Sequence, residues 1–209
     1  MSEFVVVGGG GHAKVLVAVL LARGDRVLGY TDRRDRATVL GVPYLGDDTV
    51  LEELVGEDRR RCVAFGVGMV TAAPERRSLL DRIAALGLPL PAVVAASAVV
   101  APEVELGAAT VVFEGVVINP DARIGRGCIL NTHCTVEHDV ELGANVHVAP
   151  GATLSGGIIV GDDVMLGAGA TVIQGVRIAS GITVGAGATV VGDLNEPGVY
   201  VGCPARRFD

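Results

Sequence analysis

The chain has 209 residues, a net charge of −7, no Trp and only 3% aromatic residues, although half of its residues are apolar. The acidic balance leaves no basic footprint for nucleic acid, and there is no run of about 18 apolar residues that could span a membrane. No signal-peptide pattern is recognisable, and the four cysteines have neither metal-site nor disulfide spacing, so we expect a reducing cytoplasmic location.

The first part of the chain, residues 1–92, alternates strand and helix patterns. Apolar runs predict strands at residues 4–7, 26–30, 61–65 and 90–94, and helical composition predicts helices at residues 13–23 and 74–86. The charged stretch between residues 32 and 61 is assigned no element. Alternation of this kind predicts a small Rossmann-like α/β domain with a parallel sheet, about half the size of a full dinucleotide-binding domain.

A glycine-rich turn connects the first strand to the first helix. Gly8, Gly10 and Ala13 have dinucleotide-fingerprint spacing, and Asp32 stands at the end of the next strand. The same turn at a helix N-terminus binds the phosphate of a nucleotide sugar equally well, and the glycines could also serve only a tight turn. The sequence therefore predicts a phosphate site here without deciding between these alternatives.

The second part, residues 93–209, carries a six-residue repeat. An aliphatic anchor returns at every sixth position from Val94 to Val190, 17 times without a break. This period is the signature of a β-solenoid of hexapeptides, three to each triangular coil. The fourth residue after each anchor is small or aliphatic, which predicts that Cys128 and Cys134 are buried thiols. The tail at residues 195–205 breaks the period and is predicted to cap or cross the last coil.

Titratable groups are concentrated in one hexapeptide of the repeat. His138 is followed by Asp139 and preceded by Glu137, against a background of Gly, Ala and Val. A carboxylate beside an imidazole raises its basicity enough to accept a proton near neutral pH. Neither His138 nor His147 is an anchor, so we expect both to point outwards or to lie at a corner of the coil.

Residues 131–140, residues 147–152, the Gly10-Gly11-His12 turn and residues 198–205 together resemble a known family. They are similar to the sugar O- and N-acyltransferases of the left-handed β-helix class. That class includes the nucleotide-4-amino-sugar N-acetyltransferases of the bacillosamine and perosamine pathways and the sialic acid O-acetyltransferase group. The resemblance covers essentially the whole chain.

The resemblance implies direct transfer from acetyl-CoA to the amine of a nucleotide-linked amino sugar, without a metal or a nucleophilic cysteine. It implies that His138 is the general base and that Asp139 raises its basicity. His147, Gly156 and Ala168 are implied to contact acetyl-CoA. The small domain is implied to hold the nucleotide sugar through residues Gly10, Gly11, His12, Asp32, Arg33 and Gly66. A homotrimer is also implied, with active sites between subunits.

Several alternatives remain open from the sequence. The acceptor could be a sugar hydroxyl, as in the sialic acid group, or the chain could be a non-catalytic nucleotide-sugar-binding solenoid. A zinc site like that of γ-class carbonic anhydrases would use His133 and His138, but Ser97 stands where the third histidine is needed. A nicotinamide-dependent dehydrogenase is disfavoured because no substrate domain follows the short α/β unit. The sugar, its nucleotide base and the pathway are not indicated.

Overall fold

The computed structural model describes residues 2–56 and 61–208. A five-stranded sheet forms the centre of the N-terminal part, in the order β3 (Thr38–Val39), β4 (Val42–Gly46), β2 (Arg26–Thr31), β1 (Glu3–Val7) and β5 (Arg61–Phe65). The central strand β1 (Glu3–Val7) pairs in parallel with β2 (Arg26–Thr31) and β5 (Arg61–Phe65). Its last four residues are buried, as expected for a parallel strand covered on both faces. The helices are α1 (Gly11–Ala22), α2 (Leu51–Gly56) and α3 (Pro74–Ala85).

The charged stretch that was assigned no element contains a hairpin, and that part of the prediction was wrong. Strands β3 (Thr38–Val39) and β4 (Val42–Gly46) are antiparallel, and a 3-10 turn at Asp48–Val50 leads into α2. Leu40 and Gly41 both have positive φ, as the tight two-residue hairpin turn requires. Leu is an unusual residue for the first of these positions, so the turn is poorly signalled in the sequence.

The second part of the chain is a parallel β-helix of the predicted left-handed type. Its strands pair with the strands eighteen residues away, as in Ile118 with Val136 and Val136 with Leu154. In the described residues all 17 predicted anchors end a strand, and most are fully buried in one continuous core. The uniform register follows from the unbroken period, because no inserted loop displaces a coil.

Three flat sheets form the sides of the triangular coil. We call them the domain-facing sheet, the threonine sheet and the charged sheet. The domain-facing sheet begins with β6 (Val93–Val94), β9 (Val111–Val112), β12 (Ile129–Leu130), β15 (His147–Val148), β18 (Met165–Leu166) and β21 (Ile182–Val184). The threonine sheet contains β7 (Val99–Val100), β10 (Val117–Ile118), β13 (Thr135–Val136), β16 (Thr153–Leu154), β19 (Thr171–Val172) and β22 (Thr189–Val190). The charged sheet contains β8 (Glu105–Leu106), β11 (Arg123–Ile124), β14 (Glu141–Leu142), β17 (Ile159–Val160) and β20 (Arg177–Ile178).

The predicted strand at residues 90–94 is wrong in extent and in partner. Only Val93–Val94 is a strand, and it pairs with Val111–Val112 in the solenoid. Pro89, just before this segment, accepts a hydrogen bond from the amide of Val63 in β5. The chain therefore passes along the edge of the small sheet without forming a strand there.

The corners of the coil recur every six residues in a left-handed backbone conformation. The φ angles of His133, Asp139 and Asn145 are 57°, 58° and 58°. Glycine occupies most of the equivalent corners, and Asp and Asn tolerate this region better than other side chains. Most corner positions therefore carry glycine, Asp or Asn, with His133 and Ala109 as the exceptions.

The tail caps the last coil, as predicted. Strand β23 (Gly198–Val201) pairs in parallel with β21 and antiparallel with β24 (Arg206–Phe208). Tyr200 and Ala205 join the solenoid core, so the end of the coil is covered by the chain itself. No helix in the described part of the chain is long and apolar enough to cross a membrane.

The small domain packs directly on the domain-facing sheet. Val93, Val111, Ile129 and Met165 share one buried cluster with α1 of the small domain. These residues begin their strands and point away from the coil axis, so this cluster is the apolar part of the contact between the two parts.

Candidate active site

His138 lies at the corner between the threonine sheet and the charged sheet, with Asp139 in the left-handed position beside it. The Nδ1 atom of His138 is 2.7 Å from Oδ2 of Asp139, and both side chains are 63% exposed. The hydrogen bond to Asp139 raises the pKa of His138, and the charges of Asp139 and Glu137 act in the same direction. With its proton on Nδ1 donated to Asp139, the ring leaves Nε2 free to accept a proton.

Gly156 lies one coil above His138 on the same corner. A Cβ built on Gly156 would lie 2.5 Å from Cε1 and 2.6 Å from Nε2 of the imidazole. No other residue type leaves this space open, so the glycine keeps Nε2 accessible. Glu137 is held on the neighbouring strand end by the side-chain amide of Asn119, at 2.8 Å from Oε2.

His147 leaves the coil outwards, but it is buried rather than exposed, since the small domain covers it. Its Nδ1 donates to the carbonyl oxygen of Met69 at 2.8 Å, and Nε2 lies 3.1 Å from the Asn131 side-chain nitrogen. Burial lowers its pKa to about 4. The neutral ring therefore carries its proton on Nδ1 and links the solenoid to the small domain.

His12, in the first turn of α1, shares a cavity of about 380 Å³ with His147. Asn131, Met69 and Phe113 are also among its walls. The His12 ring stands edge-on to Phe113, with ring centroids 5.2 Å apart, and its Nε2 is buried without a partner in the described part of the chain. Burial, together with the charges of Arg76 and His147, lowers the pKa of His12 to about 3.

A larger cavity of about 650 Å³ opens at the carboxyl ends of β1, β2 and β5. Asp32 and Arg33 line it, together with Gly8 and Arg76. Oδ2 of Asp32 accepts a hydrogen bond of 2.8 Å from the amide of Gly9, so this carboxylate fixes the glycine turn. Ligand sites of open α/β sheets lie at this edge.

The residues predicted for the nucleotide sugar therefore divide between two cavities. Gly11 and His12 line the smaller one, and Asp32 and Arg33 the larger one. Gly10 is the N-cap of α1, without a side-chain cap, between them. Gly66 lines neither of the two cavities, and a Cβ built on it would lie 2.9 Å from the carbonyl oxygen of Val7 and 3.0 Å from Cβ of Ala13.

The residues predicted for acetyl-CoA do not converge within one chain. Gly156 is beside His138, whereas exposed Ala168 lies on the opposite edge of the threonine sheet. His147 is on the domain-facing sheet. His133 is on a different corner of the coil from His138, so these two histidines are not neighbours within one chain. Across the described residues no group of three His, Cys, Asp or Glu side chains could hold a metal ion.

Two buried polar residues between the domains were missed from the sequence. Arg76 is 4% exposed and Asn145 is fully buried. Arg76, Leu80 and Ile83 are the buried residues of α3, at the spacing of a core-facing stripe. A charged residue on that apolar stripe could have identified Arg76 as a buried polar residue from the sequence. Apart from its position at a corner of the coil, nothing in the sequence around Asn145 indicates that it is buried.

Comparisons with known proteins agree with this architecture. Residues 3–79 match the PglD N-terminal domain, and residues 121–156 match the bacterial transferase hexapeptide (six repeats). A variant of perosamine N-acetyltransferase from Caulobacter crescentus, solved with CoA and GDP-perosamine, is similar over 100% of this chain and 98% of its own, with 38% identity and a TM-score of 0.93.

A second solved structure is the acetyltransferase domain of PglB from Neisseria gonorrhoeae with acetyl coenzyme A. It has 33% identity and a TM-score of 0.93 over 99% of both chains. WeeI from Acinetobacter baumannii, at 24% identity and a TM-score of 0.87 over 99% of both chains, shows the shared fold. The search among curated proteins gave no match.

Proposed function

Because this chain belongs to the hexapeptide-repeat acetyltransferases that carry a PglD N-terminal domain, we propose that it transfers the acetyl group of acetyl-CoA to the amine of a nucleotide-linked amino sugar. The observation that carries the proposal is the pair of His138 and Asp139, with Nε2 of the ring open beside Gly156. A general base must present a free nitrogen to its substrate, and this ring nitrogen is free.

His138 acts as the general base in a direct transfer. Its Nε2 accepts a proton from the sugar amine while the amine nitrogen attacks the thioester carbon. The C–S bond breaks, the acetyl group forms the amide, and the protonated His138 returns the proton to the departing thiolate as CoA leaves. Asp139 stabilises the imidazolium through the hydrogen bond to Nδ1.

The backbone amide of Gly156 is proposed to donate a hydrogen bond to the thioester oxygen. Its amide donates to no carbonyl in the described part of the chain, whereas the amide of the next residue, Gly157, donates to His138. An N–H directed at the developing negative charge stabilises the transition state. Ala168, exposed on the other edge of the threonine sheet, and His147 complete the proposed contacts to acetyl-CoA.

A homotrimer with active sites between subunits is part of the proposal. His12 and His147 share one cavity, but His138 is on another corner of the coil, so one chain holds these groups apart. The threonine sheet offers an uncharged surface for a second copy, with Val99 at 63% exposure. We propose that a neighbouring subunit brings its His138 to the cavity of His12.

Subunit mixing tests the shared site. His138→Ala and His12→Ala variants are each expected to be nearly inactive, and assemblies reconstituted from both should regain activity because one type of interface keeps both histidines. Mixtures that stay as inactive as the separate variants would contradict a site between subunits. Cross-linking and sedimentation of the wild type measure the number of subunits.

The remaining parts of the proposal concern specificity and location. We propose that the small domain holds the nucleotide sugar through Gly10, Gly11, His12, Asp32 and Arg33, since these line or flank the two cavities. A cytoplasmic location suits the four described cysteines, which form no disulfide with one another.

Product analysis with a substrate panel tests the function. Acetyl-CoA and UDP-, GDP- or dTDP-linked 4-amino sugars are incubated with the enzyme, and CoA release and product mass are followed. One amino sugar should gain an acetyl group on nitrogen, and His138→Ala should abolish the gain. Acetylation of the corresponding hydroxy sugar in its place would identify an O-acetyltransferase. Absence of acetyl-CoA binding would identify a non-catalytic solenoid.

A further inference from the structure

Arg76 is a buried guanidinium that contacts no carboxylate among the described residues. Its Nε donates to the carbonyl of Val67 at 2.5 Å, and Nη1 donates to the carbonyl of Gly127 at 2.6 Å and to Oδ1 of Asn145. The guanidinium carbon lies 4.8 Å above the ring of Phe65. Burial lowers the pKa of Arg76 to about 10, which leaves it charged at neutral pH. An apolar residue would fill this space at a smaller desolvation cost, so the arginine calls for another explanation.

Asn145 connects Arg76 to the next coil. Its Oδ1 accepts from Arg76, and its Nδ2 donates to the carbonyl of Ala73 at 3.0 Å and to Oδ1 of Asp163 at 2.8 Å. Asp163 in turn lies 3.0 Å from Nη2 of Arg77. Gly127, Asn145 and Asp163 stand on one corner of three successive coils. The corner therefore offers a carbonyl, an amide and a carboxylate, in order, to the start of α3.

These contacts hold one loop, residues 66–73, which we name the interdomain loop. Val67 and Ala73 are tied to the Arg76 and Asn145 pair. Between them, Met69 accepts from His147, and the amide of Ala72 donates to the Thr183 hydroxyl at 2.9 Å. The loop contributes walls to both cavities, which are the proposed nucleotide-sugar site and the cavity of His12 and His147.

We propose that Arg76 and Asn145 are positioning residues that fix the interdomain loop on the solenoid, and thereby fix the distance between acceptor and acetyl donor. This inference rests on the proposed function. The apolar cluster around Met165 and Phe113 already holds the two domains together, but apolar contact is non-directional. Directional hydrogen bonds to three coils define one position of the loop along the solenoid.

A different role for Arg76 would be to supply positive charge to the phosphates in the larger cavity, which it also lines. The two roles differ in whether lysine can replace Arg76. Lysine keeps the charge but lacks the planar fork that reaches Val67, Gly127 and Asn145 together. A charge role therefore predicts rescue by lysine, and a positioning role predicts none.

The experiment compares Arg76→Lys and Asn145→Gly with Arg126→Ala. The control removes a second contact between the domains, the exposed 2.6 Å bridge from Arg126 to Asp81. Asn145→Gly keeps a residue suited to the left-handed corner. Steady-state kinetics and separate dissociation constants are measured for each substrate, and melting curves establish that each variant is folded at the assay temperature.

Arg76→Lys and Asn145→Gly should each lose about tenfold to a hundredfold in kcat, because displacement of a reactant by about 1 Å has this effect. Dissociation constants for the individual substrates should stay within about threefold, and Arg126→Ala should retain kcat within about twofold. If Arg76→Lys unfolds, Asn145→Asp provides a second test of positioning, since it keeps the acceptor for Arg76 and loses the donor to Ala73 and to Asp163.

Wild-type kcat in Arg76→Lys or in Asn145→Gly would overturn the inference and leave the proposed function intact. Loss of nucleotide-sugar affinity at unchanged kcat would also overturn it, since that result identifies a binding residue. No acetyl transfer by the wild type would overturn the proposed function, and this inference with it.

Discussion

The imidazole of His138 and the backbone of Gly156 lie so close across one coil that a Cβ on Gly156 would be 2.6 Å from Nε2. The hydrogen bond from Nδ1 to Asp139 fixes the other side of the ring. The ring is thus held by a carboxylate on one side and left open by a missing side chain on the other. This relationship makes an exposed corner of a uniform solenoid able to accept a proton.

Replacement of Gly156 by Ala should reduce kcat by about a hundredfold, because the methyl group displaces the imidazole from its position. The φ of Gly156 is in the ordinary range, so the melting temperature should change little. Gly192→Ala is the matched control, since Gly192 is on the same corner two coils later with no atom within 4 Å of its Cβ position. Equal activity of the two variants would contradict the proposed geometry.

The pH dependence of kcat/KM should report the pair of His138 and Asp139. The hydrogen bond to Asp139 raises the pKa of His138. Wild-type activity should therefore rise with increasing pH, with a midpoint above the ordinary 6.5. Asp139→Asn removes the charge and keeps an acceptor for Nδ1, so the midpoint should move to lower pH and the plateau should fall. An unchanged midpoint in the pH profile would show that Asp139 does not tune the base.

Acid should destabilise the protein through His12 and His147. Their pKa values in the fold are lowered to about 3 and about 4, below the ordinary 6.5. The unfolded chain therefore takes up protons first as the pH falls from 6.5, and the free energy of unfolding declines by about 1.4 kcal/mol per pH unit for each group. Urea unfolding between pH 5 and 7 measures this slope.

His147→Gln provides the comparison for the acid effect. The variant lacks one of the two titrating rings, so its slope should be smaller by about one proton. Identical slopes for wild type and variant would mean that His147 is already protonated in the fold, contrary to its burial under Met69.

Direct transfer predicts that no cysteine is acetylated. Burial raises the pKa of Cys134, and that of Cys128, to about 12, so neither is a thiolate at neutral pH. Cys134→Ala should keep kcat within about twofold, because a substitution away from the reacting groups leaves transition-state contacts unchanged. A burst of CoA release in the wild type that is absent from this variant would indicate an acetyl-cysteine intermediate.

The repeat explains why most of the fold could be predicted. Each anchor from Val94 to Val190 ends a strand and faces the inside of the coil, so one periodic signal places 17 strands, the coil and the buried cysteines. The family resemblance read from residues 131–152 is confirmed by the solved relatives. The site residues themselves stay predictions, because periodicity says which side chains point outwards and not what approaches them.

The errors and omissions lie where tertiary contact overrides local pattern. His147 has the register of an outward residue, and its burial depends on a loop 78 residues earlier in the chain. Arg76 and Asn145 meet across 69 residues, and neither residue carries a local sign of its partner. The hairpin at Leu40 and Gly41 was missed because Leu is an unusual residue at a turn position with positive φ. Contacts between the small domain and the solenoid therefore could not be predicted from the sequence pattern of either part.

Turnover by His138→Asn at saturating acetyl-CoA and nucleotide amino sugar is the most direct measurement of the central claim. Asparagine has no basic nitrogen, so kcat should fall by about 10² to 10⁴, the range for removal of a general base. Calorimetry should show unchanged affinity for both substrates. A variant that retains kcat within about twofold of the wild type would contradict the assignment of His138 as the base.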